Sequence, residues 1–175
     1  MRGRLAARSG RGQVHPSFVA AKKGEGEQLE LRATLNLGMD IRIPSEYLPS
    51  ESLRLRTYKR IAETRNENER ETLRRELQDR FGPPPPAIDN LLDYAILKSL
   101  CERLQISSVD RRGNEAVIKF HPTTSVSPER LVRLVRKGKG TKLDPSGVLT
   151  IALERSSKSI AETIRNVLIP LETGS

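Results

Sequence analysis

Ile88-Asp89-Asn90-Leu91-Leu92-Asp93-Tyr94-Ala95-Ile96-Leu97-Lys98-Ser99-Leu100-Cys101-Glu102-Arg103-Leu104 is the stretch that decides the fold. Ile88, Leu91, Leu92, Ala95, Ile96, Leu97, Leu100, Cys101 and Leu104 are apolar and cover most of the circumference of a helix. A helix apolar on nearly every side is central, and the other elements must be laid around it. Four prolines, Pro83 to Pro86, separate it from a helix of opposite character that starts near Asn66 and runs to Phe81. There Leu73, Leu77 and Phe81 form one apolar stripe, while Glu69, Glu76 and Asp79 fall together on a polar flank. Gly82 supplies a left-handed cap, and the prolines that follow cannot continue the helix.

Working outward, every odd position from Leu29 to Ile43 is apolar and every even one is polar or glycine, the period of a half-buried strand. The run exceeds a typical strand, so Gly38 marks a bend and Pro44 the end. Ser50 caps a helix carrying Leu55, Tyr58 and Ala62 on one face. Beyond the central helix, Ile106 to Val109 and Ala116 to Phe120 read as a hairpin around Arg112-Gly113-Asn114. Ser127-Pro128-Glu129 opens a helix with Leu131, Val132, Leu134 and Val135. Asp144-Pro145-Ser146-Gly147 is a turn before a strand over Val148 to Leu153, and a last helix covers about Ser159 to Leu171. The elements do not alternate as βαβ units. The expectation is an α+β fold, a single compact domain with about five helices around a small, mainly antiparallel sheet.

The chain has 175 residues, 35% hydrophobic and 30% charged, enough for one domain that buries roughly two thirds of its unfolded surface. Aromatic residues are only 3%, which speaks against a base-stacking platform. Of the net charge of +9, a disproportionate share sits in residues 1–28, with six Lys or Arg against two Glu; the remainder has 25 against 20. Residues 1–28 are read as a disordered basic arm or linker remnant, and residues 29–175 as the folded domain. No apolar run reaches the length of a membrane span. The single cysteine excludes an internal disulfide and points to a reducing, cytoplasmic setting.

Catalytic chemistry finds little support. His15 and His121 have no companion ligands at metal-binding spacing. Cys101 lies in the most apolar helix, where a buried, inert thiol is expected. Ser156, Ser157 and Ser159 read as helix-start residues, because no base stands beside them. Lys137-Gly138-Lys139-Gly140-Thr141-Lys142 lacks the pattern and the strand-to-helix setting of a phosphate loop, and reads as a flexible basic loop. With the preceding helix it forms the best candidate for contact with nucleic acid, through Arg133, Arg136, Lys137, Lys139 and Lys142. The carboxylates around Glu76 are interleaved with Arg70, Arg74, Arg75 and Arg80, which favours helix-supporting ion pairs over acid and base catalysis. No cofactor is expected.

Ile43-Pro44-Ser45-Glu46-Tyr47-Leu48-Pro49, Arg54-Leu55-Arg56-Thr57-Tyr58-Lys59-Arg60-Ile61-Ala62, Glu76-Leu77-Gln78-Asp79-Arg80-Phe81-Gly82 and Asn90-Leu91-Leu92 occur in that order. Together they resemble the C-terminal (TRCF) domain of bacterial transcription-repair coupling factors, over about Leu29 to Leu171. Lys22 to Gln28 resembles the linker that joins the family's motor to this domain. The residues before it do not resemble the end of the motor, as expected of a fragment or an altered reading frame. The resemblance implies a non-catalytic regulatory domain, since the motor and ATP-binding motifs and the polymerase-binding module are absent from this chain. It implies docking on the UvrB-like N-terminal module, masking of UvrA binding and restraint of the ATP-dependent DNA translocase. RNA polymerase and duplex DNA are then indirect partners through the full-length protein. The family's acidic contacts to that module fall on Glu76 and Asp79. The alternative is a small basic DNA- or RNA-binding module.

Overall fold

The central helix organises the molecule as its composition requires. In the computed structural model, which describes residues 32–154 and 159–172, the element order is β1 (Thr34–Asn36), α1 (Glu51–Ala62), α2 (Glu67–Phe81), α3 (Pro86–Arg103), β2 (Ile106–Arg112), β3 (Glu115–Phe120), α4 (Pro128–Lys137), β4 (Thr141–Leu143), β5 (Leu149–Ala152) and α5 (Ile160–Glu172). The arm expected over 1–28, and Ser156 and Ser157, lie outside the described residues. The five strands form one sheet in the order β1-β2-β3-β5-β4; β1 runs parallel to β2 and the other pairs are antiparallel. This is the α+β fold that the sequence predicts, with five helices and a mainly antiparallel sheet among the described residues. None of these helices is long and apolar enough to cross a membrane.

The buried apolar side chains divide into two clusters, and α3 belongs to both. Ile88, Leu91, Leu92 and Ala95 pack with Leu73, Leu77 and Ile61 from α2 and α1. Leu97, Leu100 and Cys101 pack with the sheet, α4 and α5. The helix starts two residues earlier than the apolar pattern suggests. Pro86 occupies its first turn, where a missing N–H costs nothing, so the prolines that stop α2 also start α3. Burial pushes the Cys101 thiol up to about 12, which makes it the inert core thiol expected.

Of the long strand expected over Leu29–Ile43, the described residues pair only through β1. Its alternation is nevertheless real. Ala33, Leu35 and Leu37 enter the sheet-side core, Ile43 enters the helical core, and the intervening polar residues face solvent. Gly38, at φ +64°, turns the strap from one core to the other. The face assigned to α1 is corrected: Leu55 is 57% exposed and Ala62 is exposed, whereas Thr57 and Ile61 are buried. The Thr57 hydroxyl donates to the Leu53 carbonyl within its own helix (2.9 Å), so a polar residue enters the core with its hydrogen bond already made.

The basic stretch after α4 is not a flexible loop. Thr141–Leu143 is the edge strand β4, paired with β5, and the turn before it depends on two glycines. A Cβ on Gly138 would lie 2.6 Å from the Thr141 hydroxyl oxygen. Gly140 combines φ +72° with a backbone that approaches β5, so a Cβ there would lie 2.6 Å from that of Ala152. Gly140→Ala is expected to lower stability by about 3 kcal/mol, backbone strain adding to overlap. Gly113→Ala, at φ +60° with open space around it, should cost only about 1 kcal/mol. Urea midpoints of the two variants make the comparison, and equal losses would show that the turn yields without cost.

Candidate interaction site

The four segments that carry the family resemblance are separated along the chain and meet in space. Tyr47 reaches the end of α2, where its hydroxyl lies 3.1 Å from the Leu77 carbonyl oxygen and 3.0 Å from that of Gly82. It thereby offers its proton to carbonyls that a helix end leaves without partners. Its ring meets Phe81 edge-on, with centroids 6.2 Å apart. Gly82 adopts φ +84° and ψ −176°, so the positive φ expected of it is present, but in an extended region open essentially to glycine alone. The Tyr58 hydroxyl accepts the Ile43 N–H (2.6 Å), Arg54 donates to the carbonyls of Leu48 and Pro49, and Asn90 donates to that of Asp40. The result is a rigid seat for the C-terminal turns of α2.

Ion pairs fix α2 against its neighbours. Arg74 pairs with Asp89 (2.6 Å) and Arg70 with the buried Asp93 (2.7 Å), both on α3. Asp93 also accepts the Ser159 hydroxyl (2.6 Å), while Ser159 caps α5 by accepting the Glu162 N–H (3.1 Å). Ser159 is thus the helix-start residue expected of it. Arg165 on α5 reaches back to Glu67 on α2 (2.8 Å).

The acidic flank divides into three different carboxylates. Glu69 belongs to the start of α2, accepting the Arg65 N–H and the Asn66 side-chain amide. Glu76 is chelated by Arg60 of α1 through two bonds of 2.6 and 2.7 Å, with Arg80 at 3.2 Å on one of the same oxygens. The hydrogen bond from Arg60, reinforced by the charges of both arginines, holds the Glu76 carboxyl down at about 2, against an ordinary 4.5. Asp79 is exposed and forms no ion pair among the described residues. Arg80 lies over the Phe81 ring, 5.1 Å from its centroid. The flank is therefore a mixed-charge patch in which, of these three carboxylates, Asp79 alone lacks an ion pair among the described residues. Residue spacing along α2 gives the pair with Arg80, four residues on, but not the one with Arg60, which stands on another helix.

Because the carboxyl pKa of Glu76 is depressed on folding, the clasp between α1 and α2 contributes stability above about pH 4.5 and loses it as pH falls through about 2. The pair is half-exposed, so its worth is at most about 1 kcal/mol. Glu76→Gln should be less stable than the parent by up to that amount at pH 6, and the gap should close near pH 2. A gap independent of pH, followed by urea denaturation, would exclude the pair as its source.

The second set of candidate residues is brought together only in part. Arg133, Lys137 and Lys139 line one groove with Arg130, between α4, the following turn and α5. Arg136 and Lys142 are exposed but do not line it. Arg130, which precedes Arg133 in the same basic helix, shares the face of α4 that carries Arg133 and Lys137. His121 sits at the end of β3, where its Nδ1 accepts the Thr123 N–H (3.2 Å). Among the described residues no group of three or more His, Cys, Asp or Glu could hold a metal.

Fold and site together define a small α+β domain whose distinctive sequence segments converge on the C-terminal turns of α2. Comparison with known proteins gives that class its family: residues 37–131 match the family model described as TRCF domain, and the chain belongs to that family. Transcription-repair-coupling factor of Rickettsia conorii is 35% identical over 127 residues, 73% of this chain and 11% of that protein. Its Escherichia coli counterpart is 34% identical over 122 residues, 67% of this chain and 11% of that protein. The chain thus spans about a tenth of the length of the curated relatives it matches. Among solved structures, a crystal structure of the C-terminal domain of transcription-repair coupling factor shares the fold, with a TM-score of 0.66 and 24% identity, covering 81% of this chain and 90% of that one.

Proposed function

We propose that the domain is a non-catalytic regulatory module of transcription-coupled nucleotide excision repair. It docks through the C-terminal turns of α2 on a UvrB-like N-terminal module, covers that module's UvrA-binding surface and restrains an ATP-dependent DNA translocase. Residues 29–175 form the docking domain, and residues 1–28 serve as its linker. The observation that supports this reading most is the exposed Asp79, without an ion pair among the described residues, beside Glu76 on a helix end held in place by Tyr47, within the family's own sequence segments. Charges at an interface rim set orientation and reversibility more than affinity, which suits a restraint that must be released. Glu76 enters the contact already shared between Arg60 and Arg80, so a partner arginine competes with Arg60 for it.

The test is a calorimetric titration of the whole chain into an isolated UvrB-like module, with duplex DNA titrated in parallel. Saturable binding to the module that weakens at high salt is the expected result. Binding to DNA alone would overturn the proposal in favour of a basic nucleic-acid-binding module.

A further inference from the structure

A second surface lies away from the acidic flank and is independent of it. α4, the turn to β4 and the C-terminal half of α5 enclose a groove of about 720 Å³. Arg130, Arg133, Lys137 and Lys139 line it against a single acid, Glu154, which leaves it net positive, and Leu134 and Val167 contribute apolar surface inside it. The cations are placed rather than loose. Arg130 is tied to the Leu171 carbonyl at the end of α5 (3.2 Å). Lys137 and Lys139 flank Gly138 in a turn closed by three backbone bonds, Gly138 N–H to Leu134 O, Thr141 N–H to Gly138 O and Ala152 N–H to Gly140 O. The glycines at 138 and 140 allow this turn to press against its own strand and β5, so the alternating Lys-Gly-Lys-Gly sequence fixes both lysines beside one groove.

The opposite wall contains a break in the hydrogen-bond ladder of α5. Pro170 lies inside α5 and has no N–H, so the Asn166 carbonyl lacks its α-helical donor; both residues line the groove. A ligand for this surface must offer negative charge to its cations and apolar groups to the interior. Nucleic acid meets only the first demand well. Its phosphates gain nothing from Leu134 and Val167, and no aromatic residue lines the groove to stack a base. An amphipathic peptide with acidic residues meets both, through carboxylates and aliphatic side chains. On this complementarity of charge and polarity we propose that the groove binds an acidic amphipathic segment of a protein partner. Its carboxylates lie on Arg133, Lys137 and Lys139, and its apolar side chains on Leu134 and Val167.

The probe is a fluorescein-labelled peptide of three Glu-Leu-Leu-Glu-Glu repeats, titrated with the full chain by anisotropy at about 150 mM salt. An all-glutamate peptide of equal length and a labelled duplex DNA are run beside it. Saturable binding of the amphipathic peptide, with amide shifts at Gly138, Gly140 and Asn166 in a 15N-labelled sample, is expected. Binding should weaken about tenfold or more in Arg133→Glu/Lys139→Glu. Both positions are exposed, and an unchanged thermal midpoint identifies the loss as one of contact. No binding by the amphipathic peptide overturns the proposal. So does equal affinity for the all-glutamate peptide, which would leave the apolar interior unused, and so does tighter binding of duplex DNA.

Discussion

Asp93→Ala is expected to cost about 3 kcal/mol of folding stability, a large fraction of the 5–15 kcal/mol typical of a domain. Asp93 is 5% exposed and carries two short bonds, to Arg70 of α2 and to Ser159 at the start of α5. Its loss leaves the Arg70 guanidinium largely buried, with its remaining carboxylates Glu67, Glu71 and Asp89 only at 3.6 to 3.8 Å. Those distant partners place the expected cost at the lower end of the range for a broken buried pair. Ser159 loses its acceptor in the same step, so the N-terminus of α5 loosens as well. The thermal midpoint should fall by about 6–12 °C. Replacing the pair together, as Arg70→Met/Asp93→Leu, should recover most of the loss, because an apolar pair of similar volume leaves no uncompensated charge. A loss below about 1 kcal/mol in Asp93→Ala, measured by urea denaturation, would mean that the network does not hold the three helices together.

Asp79→Arg should raise the dissociation constant for the UvrB-like module by about 30- to 150-fold, equivalent to 2–3 kcal/mol, with no loss of stability. The absence of loss is the informative part, since Asp79 has no ion-pair partner within the described domain to give up. Glu76 behaves differently. Glu76→Gln removes the chelate with Arg60, so its effect divides between folding and binding. Arg60→Ala frees Glu76 for an arginine of the partner, and should tighten binding if competition between the two arginines is real. Reversing both Glu76 and Asp79 should abolish the complex. Unchanged affinity in Asp79→Arg and in the double reversal would remove the α2 flank from the interface.

The elements that depend on local pattern were legible in the sequence. α3 followed from its all-round apolarity, and the starts of α1, α2 and α4 from Ser50, Asn66 and Ser127, each of which accepts the expected capping bond. What depended on distant partners was not. The alternation from Ala33 to Ile43 reports burial, and burial persists after the ladder to β2 has ended. The buried face of α1 was misplaced because Thr57 reads as polar until its own helix satisfies it. β4 is three residues inside a lysine-rich run, too short to carry a period of its own. The acidic flank was visible as a set of positions along α2. The division of its charges was set by Arg60, sixteen residues away, and the clasp on Asp93 by Ser159, sixty-six residues away.

Because α3 contributes to both apolar clusters, neither can dissolve while the other stays intact. Amide hydrogens at its midpoint, such as those of Ile96 and Leu97, should therefore exchange with solvent only when the whole domain opens, at the global free energy of unfolding. A partner seated on either surface would slow that exchange by its own binding free energy. The middle of one helix thus serves as a gauge for occupancy at both ends of the molecule.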